Sequence, residues 1–173
     1  QYPTYKRHDG FGYNYRMPEV AAAIGLAQTK RMEFFVNLRT DIAALYIDAV
    51  ADCDYLIPQK IPDGCNNSFW TVAMRFEHET VSWQDFRHKF ISFGGDGIYA
   101  AWALLYQETI FASGDWKKRC PPLYEALDYP SAGMCPNAEA IQPKIMQFVN
   151  NYGSIEEAKP KAHALRKTIE HFG

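Results

Sequence analysis

Gly12-Tyr13-Asn14-Tyr15-Arg16-Met17-Pro18-Glu19 runs directly into Val20-Ala21-Ala22-Ala23-Ile24-Gly25-Leu26-Ala27-Gln28, joining an aromatic, polar turn to an amphipathic helix. Pro18 fixes its own φ and has no N–H to donate, so it suits the first helical position, and Glu19 complements the positive end of the helix dipole. A helix is expected to start near Pro18. Just before it, Asn14 offers an amide, Arg16 a planar fork of donors and Gly12 a permissive backbone. That set suits an anion such as a phosphate at a helix N-terminus. The same residues also serve as a plain cap with an arginine–carboxylate pair, and local sequence leaves both readings open.

Working outward, apolar residues recur at helical spacing from Pro18 to about Ala51: Val20, Ala23, Ile24, Ala27, then Met32, Phe35, Val36, then Ile42, Leu45, Tyr46, Ala49. This predicts one long helix or two kinked ones, bending at Gly25 or in Gln28-Thr29-Lys30-Arg31, with the Met and aromatic stripe in a core or a subunit interface. Leu56-Ile57-Pro58 and the turn cluster Pro62 to Asn67 separate it from a strand over Ser68 to Phe76. Ser82 caps a helix from Trp83 to about Ile91 that Gly94-Gly95 closes. A further strand is expected over Ile98 to Trp102 and a long loop from about Ser113 to Gly133. Pro136 opens a short helix ended by Pro143, and Met146 to Val149 reads as a strand. Ser154-Ile155-Glu156-Glu157 is a capping box that starts a last helix to about Phe172, perturbed near Pro160, its Lys and His residues on a solvated face. The order fits a small α+β unit attached to the end of a larger domain.

Composition narrows the function. The 173 residues are 47% hydrophobic, with a formal net charge of −2. That balance leaves no dominant basic surface for nucleic acid. The longest apolar stretches, such as Ile98 to Leu105, fall far short of the roughly 20 residues needed to span a bilayer. No signal pattern opens the chain, so a cytoplasmic protein is expected, and Gln1 in place of an initiator Met suggests an internal piece of a longer polypeptide. Cys53, Cys65, Cys120 and Cys135 form no CxxC pair, so reduced thiols and no metal site are expected.

Hydrolase, zinc-protease, P-loop and dinucleotide fingerprints are absent. Gly94-Gly95-Asp96-Gly97 lies after a helix and before a strand, the wrong order for a phosphate loop, and reads as a turn. Of the five histidines, only His8, beside the Gly12 segment, is a candidate active-site group. Tyr99 and Trp102 are candidate walls of a ligand pocket or else core aromatics.

The Gly-Tyr-Asn-Tyr-Arg-Met segment at Gly12 to Met17, followed by its small-residue helix, resembles the sugar aminotransferases of the DegT/DnrJ/StrS type, which are fold type I enzymes using pyridoxal 5'-phosphate. Pro136-Asn137-Ala138-Glu139 is similar to a motif common near their ends, and Thr29 after Gln28 is a minor departure. The resemblance implies the C-terminal portion of such an enzyme. Residues 1–30 would be the end of the large cofactor domain and the start of a linking helix, and residues 31–173 the small α+β domain. It implies a homodimer with shared active sites, in which Asn14 reaches the cofactor phosphate of the other subunit with Arg16 as helper. The Schiff-base lysine would lie upstream, outside this chain, so no catalytic residue is assigned here. Tyr13, His8, Tyr99 and Trp102 are the implied substrate contacts. The implied reaction moves an amino group from glutamate to a keto-sugar in lipopolysaccharide or secondary-metabolite synthesis. The acceptor would be a nucleotide-linked 4-keto-6-deoxy sugar, or else a carrier-free keto-sugar acid. A dehydratase of the same family and a non-catalytic interaction module are the rival expectations.

Overall fold

The computed structural model describes residues 16–119, 121 and 132–173. Pro18 takes φ −69° and ψ 153°, which makes it the N-cap of α1 (Glu19–Thr29) and not its first helical residue. The helix nevertheless begins where proline chemistry requires, with the Ala22 N–H donating to the Pro18 carbonyl at 3.0 Å. Thr29 Oγ1 donates back to the Gly25 carbonyl at 2.9 Å, a bond that competes with the ladder and bends helices. The chain then leaves helical geometry at Arg31 (φ −106°, ψ 5°) before α2 (Met32–Ala49). The expected long helix is thus two helices, broken in the polar stretch, with Gly25 inside α1.

Of the two settings expected for the apolar stripe, a core or a subunit interface, its first half does not meet a core within this chain. Among the described residues α1 buries nothing, and Val20 and Ile24 are 74% and 59% exposed. Burial begins in α2, at Ile42, Ala43 and Tyr46.

Two compact units divide the rest. The larger holds Met17–Tyr99 with Met146–Gly173, and the smaller includes Ala100–Ile145. In the larger unit Leu56–Pro58, expected only as a separator, is strand β1. It pairs antiparallel with β2 (Val72–Phe76), Leu56 facing Phe76 and Pro58 facing Met74. Val72, Met74 and Phe76 alternate inward, the period-2 pattern of a half-buried strand. β2 starts four residues later than expected because Phe69 sits at φ +46°, outside strand geometry. Strands β3 (Tyr99–Ala100) and β4 (Ile145–Phe148) complete a sheet of order β1-β2-β4-β3. β3 is shorter than the expected Ile98 to Trp102.

Helix α3 (Trp83–Ser92) is capped as expected, the Ser82 side chain accepting from the Asp85 N–H at 3.1 Å. It buries Trp83, Phe86 and Phe90. In the smaller unit, 3₁₀ turns at Leu105–Gln107 and Asp115–Arg119 flank α4 (Thr109–Ala112). These put local helix into the stretch around the expected loop, and residues 120 and 122–131 of that loop lie outside the described residues. Helix α5 (Pro136–Ile141) starts at its proline and gives way to a 3₁₀ turn, Gln142–Lys144, containing Pro143.

The last helix, α6 (Ile155–Phe172), runs unbroken through Pro160. The Ser154 side chain accepts from the Glu157 N–H, while Glu157 accepts from the Gly153 N–H at 3.0 Å. Ala158, Ala162, Leu165 and Ile169 form its buried stripe, and α2 and α3 pack against it. Beneath them lies an aromatic core in which Phe148 meets Tyr46 and Phe90 at centroid distances of 5.8 and 5.7 Å.

Candidate functional site

Three of the expected site residues, His8, Tyr13 and Asn14, lie outside the described residues. Arg16 is exposed, two residues before Pro18 in the chain. Pro18, the N-cap of α1, makes no side-chain cap bond, and a helix N-terminus is a setting that favours an anion. Tyr99, in the larger unit, is 44% exposed, and Trp102, in the smaller, is 38% exposed. The Trp102 and Ala101 carbonyls each accept a bond from Gln142 Nε2 at 3.1 Å.

The loop leading to Tyr99 is held by a polar network that the sequence reading missed. Gly94 ends α3 at φ +95°, a conformation glycine adopts without a steric penalty. A Cβ on Gly95 would fall 2.4 Å from Phe90 Cζ, so only glycine lets the loop lie on that buried ring. Lys161 Nζ then donates to the Gly94 carbonyl at 3.0 Å and pairs with Asp96 Oδ1 at 2.9 Å. Tyr152 donates its hydroxyl to Asp96 Oδ2 at 2.5 Å. With that proton committed, the Tyr46 hydroxyl, 3.3 Å away, is the donor to Tyr152. Arg87 Nε donates to the Ile98 carbonyl at 3.1 Å, securing the far end.

The electrostatics follow from these contacts. Burial works to raise the Asp96 carboxyl, but the bonds from Tyr152 and Lys161 outweigh it and leave the group below its ordinary range. Burial pushes the Tyr46 phenol up to about 12, and burial together with Asp96 pushes Tyr152 higher still. Lys161 therefore does not belong to the solvated face expected for the last helix. It stands three residues after Ala158 and four before Leu165, on the buried stripe, and that spacing was readable beforehand. Arg166 of the same helix pairs through its two terminal guanidinium nitrogens with Asp52.

The described histidines separate into two groups. His88, His163 and His171 are exposed. His78 Nδ1 accepts from the Thr80 and Val81 N–H groups at 3.2 and 3.1 Å, so its proton sits on Nε2, which faces the Phe172 carbonyl at 3.4 Å. With Tyr55 stacked edge-on at 4.7 Å, this imidazole ties a turn to the C-terminal helix.

In the smaller unit, Glu139 of the Pro136 motif accepts from the Tyr106 hydroxyl at 2.5 Å and from the Gly133 N–H at 2.7 Å. The Tyr106 bond holds the Glu139 carboxyl below its usual range, while burial and Glu139 push the Tyr106 phenol up to about 12. Cys53, Cys65 and Cys135 are free thiols. Among the described residues no group of His, Cys, Asp or Glu side chains is placed to hold a metal, and no helix is long and apolar enough to cross a membrane.

Comparison with known proteins places this geometry in context. The model of the DegT/DnrJ/EryC1/StrS aminotransferase family matches residues 2–149. The GDP-perosamine synthase of Vibrio cholerae is 33% identical over 72 residues, which are 42% of this chain and 19% of that protein. The GDP-perosamine synthase of Escherichia coli O157:H7 is 49% identical over 39 residues, 22% of this chain and 11% of that protein. Helicobacter pylori PseC, an aminotransferase involved in pseudoaminic acid biosynthesis, superposes with a TM-score of 0.66 at 19% identity, covering 94% of this chain and 40% of that one. The E. coli GDP-4-keto-6-deoxy-D-mannose-3-dehydratase with bound hydrated PLP gives 0.59 at 20% identity, covering 89% and 36%. These structural likenesses establish a shared fold. The chain spans a fifth or less of the two synthases' lengths and 36–40% of those two structures.

Proposed function

The chain belongs to the DegT/DnrJ/EryC1/StrS aminotransferase family, and from that premise we propose that it is the C-terminal part of a pyridoxal-phosphate enzyme transferring an amino group from glutamate to a keto-sugar. The family match over residues 2–149 carries the reading, because it takes in both the Gly12 segment and the Pro136 motif. A nucleotide-linked 4-keto-6-deoxy sugar is the acceptor we favour, since the two synthases similar in sequence are named for GDP-linked sugars. Residues 1–30 close the cofactor domain and residues 31–173 form the small domain in this reading, within a homodimer whose active sites are shared.

The residues present fit a cofactor phosphate. Arg16 is exposed and Pro18 makes no side-chain cap bond at the start of α1, so guanidinium and backbone donors suit a dianion, with Glu19 the acidic residue of the first turn. Pyridoxal phosphate, when bound, supplies the electron sink for amino transfer. This chain's own part is to bind and orient. Arg16 and Asn14 anchor the phosphate, and Tyr13, His8, Tyr99 and Trp102 line the acceptor side. The Schiff-base lysine lies upstream in this reading.

The test is an absorbance spectrum of the intact enzyme with pyridoxal phosphate before and after glutamate, with the mass of a borohydride-treated sample. A glutamate-driven shift to the pyridoxamine spectrum, with a trapped mass increase beforehand, is the expected result. Binding without a trapped mass would replace the aminotransferase with a sugar dehydratase, and no binding would leave an interaction module.

A further inference from the structure

We propose that Arg87 is a positioning residue for acceptor recognition, its bond to the Ile98 carbonyl aiming the Tyr99 hydroxyl at the sugar of a nucleotide-linked keto-sugar. The inference rests on the acceptor class proposed above and names the group that orients one of its contacts.

Tyr99 stands between two fully buried neighbours. Ile98 and Ala100 are each 1% exposed, whereas Tyr99 is 44% exposed, the alternation that turns every second side chain of a strand outward. Among the described residues its hydroxyl has no hydrogen-bond partner. β3 is only two residues long, so its ladder gives that direction little support, and the aim of the phenol depends on the loop that leads into it. Lys161 and Tyr152 hold that loop at Gly94 and Asp96. Arg87 holds its last peptide. Nε donates to the Ile98 carbonyl at 3.1 Å, and a Cβ on Gly97 would meet the same guanidinium at Nη2, 3.4 Å away. The Ile98 carbonyl shares one rigid plane with the Tyr99 N–H and Cα. Fixing that oxygen therefore fixes the plane from which the Tyr99 side chain projects.

An exposed phenol adds little to the fold by being aimed, yet here a half-buried guanidinium holds its peptide. A tyrosine kept ready in this way loses little entropy on binding, since it has few rotatable bonds. Its hydroxyl both donates and accepts, so it can donate to a keto oxygen or accept from a ring hydroxyl. The bond from Arg87 leaves from Nε, the nitrogen nearest the aliphatic stem. The role needs a donor at that position and not the charge.

The probe is GDP-4-keto-6-deoxy-D-mannose, the sugar nucleotide in the name of the similar dehydratase, titrated by calorimetry into the intact enzyme without glutamate, with GDP as a separate arm. Tyr99→Phe and Arg87→Met should each weaken the sugar nucleotide about tenfold, the loss of roughly one hydrogen bond, and leave GDP unchanged. The double variant should be no weaker than either single one, because both remove the same contact. Arg87→Gln should restore wild-type affinity, since its amide nitrogen follows Cδ as Nε does, whereas the methyl group of Met at that point donates nothing. Arg87→Lys keeps the charge but carries its nitrogen one bond further out, and should lose as much as Arg87→Met. That variant keeps the test open if Arg87→Met melts early. Equal losses in Arg87→Gln and Arg87→Met, additive losses in the double variant, wild-type affinity in Tyr99→Phe, or no binding by wild type would each overturn the proposal. The glutamate-driven spectral change, measured on the same preparation, reports the aminotransferase reading independently, so the two can fail separately.

Discussion

Tyr152 donates its hydroxyl to Asp96 at 2.5 Å across 56 residues of chain, which fastens the loop after α3 to the segment that opens the last helix. Lys161 grips the same carboxylate and the Gly94 carbonyl. Because the folded Asp96 lies below its ordinary range, it stabilises the fold at pH above the unfolded aspartate value, and that contribution is lost as pH falls through the folded value. Asp96→Asn should therefore flatten the acid limb of a stability–pH profile measured by urea unfolding. Tyr152→Phe should cost about 1.5–3 kcal/mol at neutral pH, the range for removing a hydrogen bond to a charged group. An unchanged acid limb in Asp96→Asn would refute the role of the pair.

Gly95 lies on the Phe90 ring, whose edge sits where a Cβ would go. Phe90 is buried and packed on Phe148 at 5.7 Å, so the ring has little room to retreat. Gly95→Ala should lower stability by about 1–3 kcal/mol, as overpacking in a filled core does. Thermal unfolding of the single variant checks it, and Gly95→Ala with Phe90→Leu should recover part of the loss.

Asn150 is 1% exposed, and its Nδ2 donates to the carbonyl of the left-handed Phe69 at 2.6 Å. Asn150→Ala should cost about 1–3 kcal/mol, because it strands a carbonyl in a buried setting. Faster amide exchange around Ser68 to Thr71, with β4 unchanged, is the signature to measure.

Tyr106 should titrate late. Burial and the neighbouring Glu139 push its phenol up to about 12. Ring-labelled tyrosine followed by NMR through alkaline pH should show Tyr106 lagging the exposed tyrosines, and Glu139→Gln should bring it back toward them. Titration with the exposed group in the wild type would show that the Tyr106–Glu139 bond does not persist in solution.

Local chemistry made much of this protein legible in its sequence. Pro18, Ser82, Pro136 and Ser154 each act within one helical turn, so these four of the described helix starts could be read to within a residue. β4 and the period-2 content of β2 were also visible, since alternation needs no distant partner. The family segment at Gly12 to Gln28 and the Pro136 motif led to the family by residue identity, without knowledge of packing.

What the sequence could not show depends on groups far apart in the chain. β1 is only three residues long, too short for a periodic signal, and it is a strand because β2 pairs with it. Val20 and Ile24 have the spacing of a buried face yet lie exposed in α1, since apolar spacing states that a face exists and not what covers it. Asp96 and Tyr152 look like ordinary surface residues, and the partners of Lys161 are invisible, until folding brings a turn, a loop and a helix face together. The bend at Phe69 and Trp70 likewise depends on Arg39 and Asn150 converging on it from 31 and 81 residues away. Sequence settled the local backbone and the family because both are written in neighbouring residues. Tertiary structure alone decided the loop network and the Phe69–Trp70 bend, because each is held by hydrogen bonds between distant parts of the chain.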